Sequence, residues 1–503
     1  MHLPLRRVLA CAATAALAGG GLVATSAPAA TAAPAKRLVD DFNGDGYGDV
    51  VLNLRLYSTA TLDKSGAVLV LYGSPSGLSR THRKLITEST AGVPGTAESA
   101  DWFGEATTTG DFDGDGYADL AVSAPGEDYT SGATSWKEAG QVKLIWGGPN
   151  GLTQHGATTV KLGTPAVQGL LAGMDLASGD FNGDGKRDLA VGNGRGGEAG
   201  SVLFGPIDRT GAPASRKPLG LDTGEPHYAD TMLATGDLTG DGLTDLLVSW
   251  DTGTLKSTHG IHLLRGGAGG FTNAGYLKDA NGATIDHRES ERLATGDLDR
   301  DGHDDVIVPQ PFALGHKGEF LVVYGAANGQ DPARKPVHFS QDTPGVPDTN
   351  SDGGSDHFGK QVAVGDVDAD GYPDVIATSP DENHSQLTNP GKVTVLRGGP
   401  GGLTGTGATA FTQNTPGVPG SSIGEGGFGM GAKATDVNGD GRADALIGVH
   451  AVDEVGVSSH AGGLWVLPGS ATGTTATGSK GFTPVDLGLP RDGYLYVGWS
   501  FNR

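Results

Sequence analysis

A nine-residue acidic phrase that recurs seven times constrains the fold more than any other feature of the sequence. Acidic or amide residues occupy places 1, 3, 5 and 9 and glycine occupies place 6, with one exception at place 3, Thr239. Successive copies are 57 to 70 residues apart and begin at Asp41, Asp111, Asp180, Asp237, Asp297, Asp366 and Asp436. Self-similarity at a steady spacing is the signature of a repeat architecture. The sequence therefore predicts seven similar units rather than a few unrelated domains.

Each unit reads as a small antiparallel sheet. A short apolar run such as Leu120 to Val122 follows every acidic phrase, and a second apolar run such as Gln141 to Trp146 ends in a glycine-rich turn. Runs of this length suit buried strands rather than helices. A further strand precedes the phrase, and the 87 glycines favour tight turns. Because a single four-stranded sheet cannot bury both of its faces, we expect an all-β fold, a seven-bladed β-propeller of four-stranded antiparallel blades.

Three short motifs together resemble a known family. They are Phe103-Gly104, the acidic phrase and Ala124-Pro125, with further copies such as Phe358-Gly359 and Ser379-Pro380. This combination is similar to the FG-GAP repeats of integrin α heads and of many secreted bacterial proteins, and the resemblance covers roughly residues 38 to 475. It implies a module that recognises an extracellular protein or glycan.

The two ends of the chain carry separate predictions. Residues 1–35 read as a signal peptide, because Arg6 and Arg7 precede an Ala-rich apolar stretch and small residues follow it. Residues 36–503 are then the propeller of a secreted protein. We expect a C-terminal strand at about 494–501 to close the first blade, the alternative being an unpaired tail. The single cysteine lies in the leader, so the exported chain has no disulfide.

The acidic phrases predict calcium loops, for up to seven ions. Calcium prefers oxygen ligands, and side chains at places 1, 3, 5 and 9 with a backbone carbonyl at place 7 can surround one ion. The predicted ligands, loop by loop, are Asp41, Asn43, Asp45, Tyr47 and Asp49; Asp111, Asp113, Asp115, Tyr117 and Asp119; Asp180, Asn182, Asp184, Lys186 and Asp188; Asp237, Thr239, Asp241, Leu243 and Asp245; Asp297, Asp299, Asp301, His303 and Asp305; Asp366, Asp368, Asp370, Tyr372 and Asp374; Asp436, Asn438, Asp440, Arg442 and Asp444.

An EF-hand is excluded because place 12 is apolar in every copy. The alternative is that Asp, Asn and Gly only form good turns. Turn formation alone does not require acids at the same places seven times. Thr239 makes the fourth loop the weakest predicted site.

The net charge of −23 argues against both nucleic acid and anionic lipid as partners, since each needs a basic protein surface, and no nucleic-acid partner is predicted. The loops hold 24 of the 58 acidic residues, so much of this charge lies where cations are expected. No insertion into a membrane is predicted. No cofactor other than calcium is predicted.

Two motifs that imitate catalytic sites are explained without catalysis. Residues Gly420 to Gly424 match the nucleophile motif of hydrolases, but they lie in a repeated Thr-x-Gly-Val-Pro connector. His259 and His262 alternate along a strand and are expected to be solvated, on opposite faces. No catalytic residue is assigned, and the chain is not expected to be an enzyme.

Long inserts mark the expected ligand surface. They include Gly126 to Gly140 and Asp381 to Gly391, and the first of them carries Tyr129 and Trp136 as candidate exposed aromatics. Neutral growth of these loops is the alternative. Two other functions stay open, namely a propeller-type polysaccharide lyase or glycoside hydrolase, and a passive surface or matrix protein.

Overall fold

The chain folds into a series of antiparallel sheets, each built around one acidic phrase. The computed structural model describes residues 40–131, 133–153, 155–163, 167–222, 230–251, 260–287, 291–347, 354–384, 386–453, 457, 460–491 and 493–502. The predicted signal peptide, residues 1–35, lies outside these residues. Within them there are seven main sheets and two small hairpins.

The strands of the first four blades follow the chain in order. Blade 1 contains β1 (Val50–Leu54), β2 (Ala67–Leu71) and β3 (Arg83–Ile86). Blade 2 contains β4 (Thr107–Gly110), β5 (Asp119–Ala124), β8 (Gln141–Ile145) and β9 (Ala157–Thr159), with the hairpin β6 (Tyr129–Ser131) and β7 (Thr134–Trp136) between β5 and β8. Blade 3 contains β10 (Leu176–Gly179), β11 (Asp188–Gly192), β12 (Gly200–Ile207) and β13 (Pro213–Pro218). Blade 4 contains β14 (Asp230–Gly236), β15 (Asp245–Asp251), β16 (His262–Arg265) and β17 (Thr272–Tyr276).

The last three blades repeat this order. Blade 5 contains β18 (Ala294–Gly296), β19 (Asp305–Gln310), β20 (Glu319–Val323) and β23 (Val337–Phe339), with a helical turn α1 (Ala313–His316) and the hairpin β21 (Gly325–Ala326) and β22 (Gly329–Gln330). Blade 6 contains β24 (Val362–Gly365), β25 (Asp374–Ser379), β26 (Lys392–Arg397) and β27 (Thr404–Phe411). Blade 7 contains β28 (Gly431–Thr435), β29 (Asp444–Val449), β30 (Gly463–Leu467) and β31 (Lys480–Phe482).

Burial along each blade explains why the sequence alternates apolar runs with polar ones. The second strands, such as β5 and β29, are buried at every position. Both faces of such a strand pack against neighbouring blades, so it reads as a continuous apolar run. The fourth strands, such as β13 and β17, are largely exposed and polar.

The blades pack in a closed ring. Each buried apolar cluster draws its residues from two successive blades, and one cluster joins blade 7 to blade 1 through Leu446, Leu464, Leu52 and Leu69. A ring of this kind gives every sheet a partner on both faces. The fold is therefore an all-β, seven-bladed β-propeller, as the sequence predicts.

The C-terminal segment lies against the free edge of blade 1. Phe501 bridges Leu52 in the antiparallel sense. The N–H of Asn53 donates to the carbonyl of Ser500 (3.0 Å), and the N–H of Asn502 donates to the carbonyl of Val51 (3.1 Å). The pairing with β1 involves residues 500–502, a shorter stretch than the expected 494–501.

The residues just before that stretch contact blade 7 instead. Val497 forms a parallel bridge with Gly462, and its N–H donates to the carbonyl of Ala461 (3.0 Å). One short segment therefore touches the last and the first blade. Among the described residues, no helix has the length and apolar character needed to cross a membrane.

Candidate metal centres

The acidic loops and the glycine-rich turns share one end of every blade. In blades 2 to 7 each acidic loop joins the first strand to the second, and each glycine-rich turn joins the third strand to the fourth. Since the sheets are antiparallel, these two connections fall at the same end. The long inserts join the second strand to the third, so they fall at the other end.

The aspartate at place 1 organises each loop from within. In the third loop Asp180 accepts three backbone hydrogen bonds, from the N–H groups of Gly183 (2.7 Å), Asp184 (3.2 Å) and Gly185 (2.8 Å). Gly185, at place 6, has a φ of 76°. A residue with a side chain is strained there, so glycine is needed for the chain to curl around the carboxylate.

The aspartate at place 9 connects the two turns of each blade. Asp119 is fully buried and accepts one N–H from Phe112 (3.0 Å) in the acidic loop and another from Gly147 (2.8 Å) in the glycine-rich turn. The glycine-turn bond recurs in all seven blades. Sequence reasoning assigned place 9 to a metal alone and missed this linking role.

Burial makes these carboxyl groups difficult to ionise. Removal from water raises the pKa of Asp49, Asp119 and Asp305 to about 8. The same cause raises the pKa of Asp374 to about 7 and that of Asp188 to about 6. A nearby cation is the usual means of keeping such a group charged at neutral pH.

Three loops bring carboxylates close enough together to share one cation. In each of these triads, every residue offers an oxygen within 4.8 Å of the other two. The triads are Asp111, Asp113 and Asp115 in loop 2; Asp297, Asp299 and Asp301 in loop 5; and Asp366, Asp368 and Asp374 in loop 6. Calcium–oxygen distances are about 2.3–2.6 Å, so oxygens on opposite sides of an ion lie about 5 Å apart. Acidic clusters that can hold a metal are thus present at places that the sequence predicts.

The same three loops are each met by an arginine. Arg209 of blade 3 pairs with Asp113 (2.6 Å) and Asp115 (2.8 Å) in loop 2. Arg334 pairs with place 3 of loop 5, and Arg397 with place 3 of loop 6. These are the loops with aspartate at place 3, whereas loops 1, 3 and 7 have asparagine there. The pairing offsets the additional charge, and no local sequence signal points to it.

The fourth loop differs in its backbone as well as in its sequence. Here the N–H of Thr239, at place 3, donates to the place-9 carboxylate of Asp245 (3.0 Å), whereas the other loops use place 2. The side chain of Thr239 is 5 % exposed. The shift gives this loop a different internal register.

The predicted aromatic pair lies on the β6–β7 hairpin. Tyr129 is 43 % exposed and its ring centroid is 5.7 Å from that of Trp136. By contrast, the prediction of a solvated His262 is wrong. That side chain is buried and stacks between Trp250 (5.1 Å) and Tyr276 (4.0 Å) from the neighbouring strands. Its partner in the motif, residue 259, lies outside the described residues.

A second aromatic group was missed by sequence reasoning. It comprises His450, His460, Tyr494, Tyr496 and Trp499, with centroid separations such as 4.1 Å for Tyr496 and Trp499 and 4.7 Å for His460 and Tyr494. Tyr494 is 58 % exposed. Residues from the connection between the second and third strands of blade 7 meet residues of the chain end here, because residues 496 and 497 pair with residues 460 and 461.

The fold and the loops define a class of protein, a β-propeller with acidic hairpin loops. The family model for the FG-GAP repeat matches residues 103–151, 172–204 and 358–396, which lie in blades 2, 3 and 6. Blades 2, 3 and 6 of this chain thus contain FG-GAP repeats.

Curated relatives match part of the chain. Phosphatidylinositol-glycan-specific phospholipase D of Bos taurus is 32 % identical over 154 residues, which is 30 % of this chain and 17 % of that protein. Integrin alpha pat-2 of Caenorhabditis briggsae is 28 % identical over 240 residues, 43 % of this chain and 17 % of that protein. Integrin alpha-PS2 of Drosophila melanogaster is 29 % identical over 217 residues, which is 40 % of this chain and 15 % of that protein. The matches therefore span less than a fifth of these relatives.

Among solved structures, the Tc holotoxin pore of Photorhabdus luminescens matches 72 % of this chain and 15 % of that chain. The sequence identity is 16 % and the TM-score is 0.33, too low to support an inference.

Proposed function

We propose that this chain is a secreted calcium-binding β-propeller that acts as an extracellular recognition or adhesion module for a protein or a glycan. The observation that carries the calcium part is the convergence of three carboxylates, within 4.8 Å, in each of three equivalent loops. The donors are all oxygens, which calcium prefers over softer ligands.

Calcium in the loops would act mainly on stability. Each loop ends in a buried aspartate that is linked to the neighbouring turn, so an ion bound there would fix two turns of one blade. The exported chain has no cysteine to provide a covalent brace. Seven bound ions would also change the formal net charge from −23 to −9.

The recognition surface proposed here lies at the end of the blades opposite the acidic loops. Tyr129 and Trp136 project on a hairpin that belongs to the insert of blade 2. Aromatic rings combine a large apolar face with a polar group, which suits both protein and glycan ligands. The aromatic group around Tyr494 extends the same surface toward blade 7.

A binding screen tests this function. The full chain is applied to glycan and protein arrays in calcium and in chelator, together with Tyr129→Ala, Trp136→Ala and the control Tyr276→Ala. Tyr276 is also exposed, at 39 %, but lies on plain blade 4. We expect binding that is lost in the first two variants and kept in the third.

Other outcomes would refute the proposal in distinct ways. Binding that is unaffected by Tyr129 and Trp136 would place the ligand elsewhere. Cleavage of an arrayed polysaccharide would support the lyase or hydrolase alternative. Absence of any ligand on both arrays would support a passive matrix protein.

A further inference from the structure

A second carboxylate cluster is buried in the propeller, away from the acidic loops. Glu88, Asp101 and Glu127 are 2 %, 2 % and 8 % exposed. Each offers an oxygen within 4.8 Å of the other two. None of the three belongs to an acidic phrase, and the proposed function does not use them.

Three separate segments bring these residues together. Glu88 follows the last strand of blade 1, Asp101 lies in the connector that leads to blade 2, and Glu127 follows β5. The acidic loop of blade 2 ends at Asp119, at the other end of β5. Five residue steps along that strand separate the two ends by roughly 17 Å. The cluster is therefore distinct from loop 2.

The charges in the cluster do not balance. One cation, the ammonium of Lys143, lies 3.5 Å from Glu88 Oε1, and both side chains are fully buried. That ammonium also donates to Gln141 Oε1 (2.7 Å). Three carboxylates and one ammonium leave two negative charges, and buried charge without a partner is strongly unfavourable.

Several oxygens in the cluster lack an N–H donor. Within the part of the chain that the structure describes, neither Oε1 nor Oε2 of Glu88 accepts a hydrogen bond from an N–H group, and the same holds for Glu127 Oε2. The carboxyl of Asp101 lies in hydrogen-bond contact with that of Glu88, a contact that two ionised carboxylates cannot form. Native proteins rarely leave buried polar atoms without a partner. These oxygens therefore indicate a ligand or a proton in the cluster.

Gly95 keeps space open beside the cluster. A Cβ atom at this position would lie 3.2 Å from both Glu88 Oε1 and Lys143 Nζ, and 3.8 Å from Glu127 Oε1. The residue has a φ of 116°, in the region that favours glycine. A side chain here would crowd the carboxylates.

Blade 6 contains a matched site with different chemistry. Glu88 and Gln341 each lie two residues before a Thr-x-Gly-Val-Pro connector, so they occupy equivalent positions in the two repeats. Glu127 and Glu382 are equivalent in the same way, since each lies two residues after the proline that follows the second strand. Gln341 donates its amide N–H to Glu382 Oε2, and Lys392 Nζ lies 3.1 Å from Glu382 Oε1. In blade 6 the neutral amide of Gln341 thus takes the place of the Glu88 carboxylate and donates a hydrogen bond to the carboxylate of Glu382. The excess negative charge of the Glu88, Asp101 and Glu127 cluster therefore depends on Glu88.

We propose that Glu88, Asp101 and Glu127 bind a hard divalent cation of the calcium class between blades 1 and 2. The two positive charges of such an ion equal the two negative charges that Lys143 leaves uncompensated. Oxygens up to 4.8 Å apart suit calcium–oxygen bonds of about 2.3–2.6 Å better than the about 2.1 Å bonds of magnesium. The ion ties the connector between the blades to the second strand of blade 2.

Protonation is the competing explanation. Burial, together with repulsion from Glu127, raises the pKa of Glu88 to about 8, and burial raises that of Glu127 to about 7. Two protons would remove the same charge as one divalent ion. The two explanations differ in whether electron-dense metal occupies the cluster.

Crystals of the full chain grown at pH 8 with Mn²⁺ test the proposal through anomalous difference density. We expect a peak between Glu88, Asp101 and Glu127. The variant Glu88→Gln, which copies blade 6, should lose this peak and reduce bound Ca²⁺ by one ion per chain in elemental analysis. Gln341→Glu should gain a peak in blade 6. Peaks in the acidic loops report correct folding and are independent of this site.

Two results would overturn the proposal. One is an empty cluster in the wild-type chain while the acidic loops hold Mn²⁺, with carboxyl oxygens in direct hydrogen-bond contact. The other is a peak that persists unchanged in both Glu88→Gln and Asp101→Asn.

Discussion

Replacing Asp374 by asparagine separates the metal role of an acidic loop from its role as a turn. Asp374 is 1 % exposed and is one of the three converging carboxylates of loop 6. It accepts the N–H groups of Val367 (3.2 Å) and Gly398 (3.0 Å), and its Oδ2 lies 3.4 Å from Nη1 of Arg397, which stays paired with Asp368 when Asp374 is replaced. Asparagine has nearly the same shape, keeps one acceptor oxygen and removes the charge.

The magnitude in chelator follows from two opposing effects. Burial raises the pKa of Asp374 from 3.8 to about 7, which corresponds to roughly 4 kcal/mol against its ionised form at pH 7.5. Removing the charge relieves this cost. The lost acceptor leaves one buried N–H without a partner and costs about 1–3 kcal/mol. Asp374→Asn is therefore expected to leave the metal-free protein at least as stable as the wild type.

Calcium opposes this gain. An ion present at about 100 times its Kd stabilises the folded chain by about 2.7 kcal/mol, and the variant loses this contribution at loop 6. The unfolding entropy of a ring of about 460 residues is roughly 1 kcal/mol per degree. The increase in Tm on adding calcium should thus be about 3 °C smaller in the variant.

Differential scanning fluorimetry at pH 7.5, in calcium and in chelator, measures both values. The control is Asp279→Asn, because Asp279 accepts the N–H groups of Asn281 (2.9 Å) and Ala283 (2.8 Å) in a turn outside the acidic loops. Its effect should be the same in both buffers. If Asp374→Asn lowered Tm equally in both, the loops would be turns without a metal role.

Three further predictions concern pH, the chain end and the fourth loop. In chelator, Tm should fall as pH rises from about 4 to about 8. The place-9 carboxyls have raised pKa values, up to about 8 at Asp49 and Asp119, so the folded chain binds more protons than the unfolded chain in this range. Calcium should weaken the trend, and a Tm that rises with pH in chelator would contradict it. Phe501→Ala should lower Tm by about 3–5 °C, since truncating a buried Phe costs about 3–5 kcal/mol. Tyr494→Ala should not lower Tm in this way, because Tyr494 is exposed. Equal effects of the two variants would show that the chain end does not close blade 1. Thr239→Asp should tighten calcium binding in titration calorimetry, and unchanged binding would exclude a site in loop 4.

The acidic phrases predicted the blade count because each phrase must sit at a hairpin between two buried strands. The sequence shows Phe-Gly before three of the seven phrases, at Phe103, Phe358 and Phe428, and the third, fourth and fifth repeats lack the phenylalanine. Gly140 makes the same close backbone approach to Ala172 in blade 3 that Gly66 makes to Phe103 in blade 2. This contact requires only that glycine has no Cβ atom, so it also forms in blade 3, where alanine replaces the phenylalanine.

Other features could not be predicted because their residues are distant in the chain. His262 alternates along its strand as expected, but alternation does not say whether an outward side chain is covered. Trp250 and Tyr276 cover it because β15 and β17 flank its strand. The arginines that meet loops 2, 5 and 6 are likewise positioned only by the packing of turns.

By itself the sequence determined the repeat, the strand and turn order, and the oxygen-rich loops, since these depend on local spacing and residue chemistry. The tertiary structure alone decided which carboxylates converge outside the loops, which charges are paired and how the ends meet. Those features depend on contacts between blades, and in a ring the first and last blades become neighbours only when the whole chain has folded.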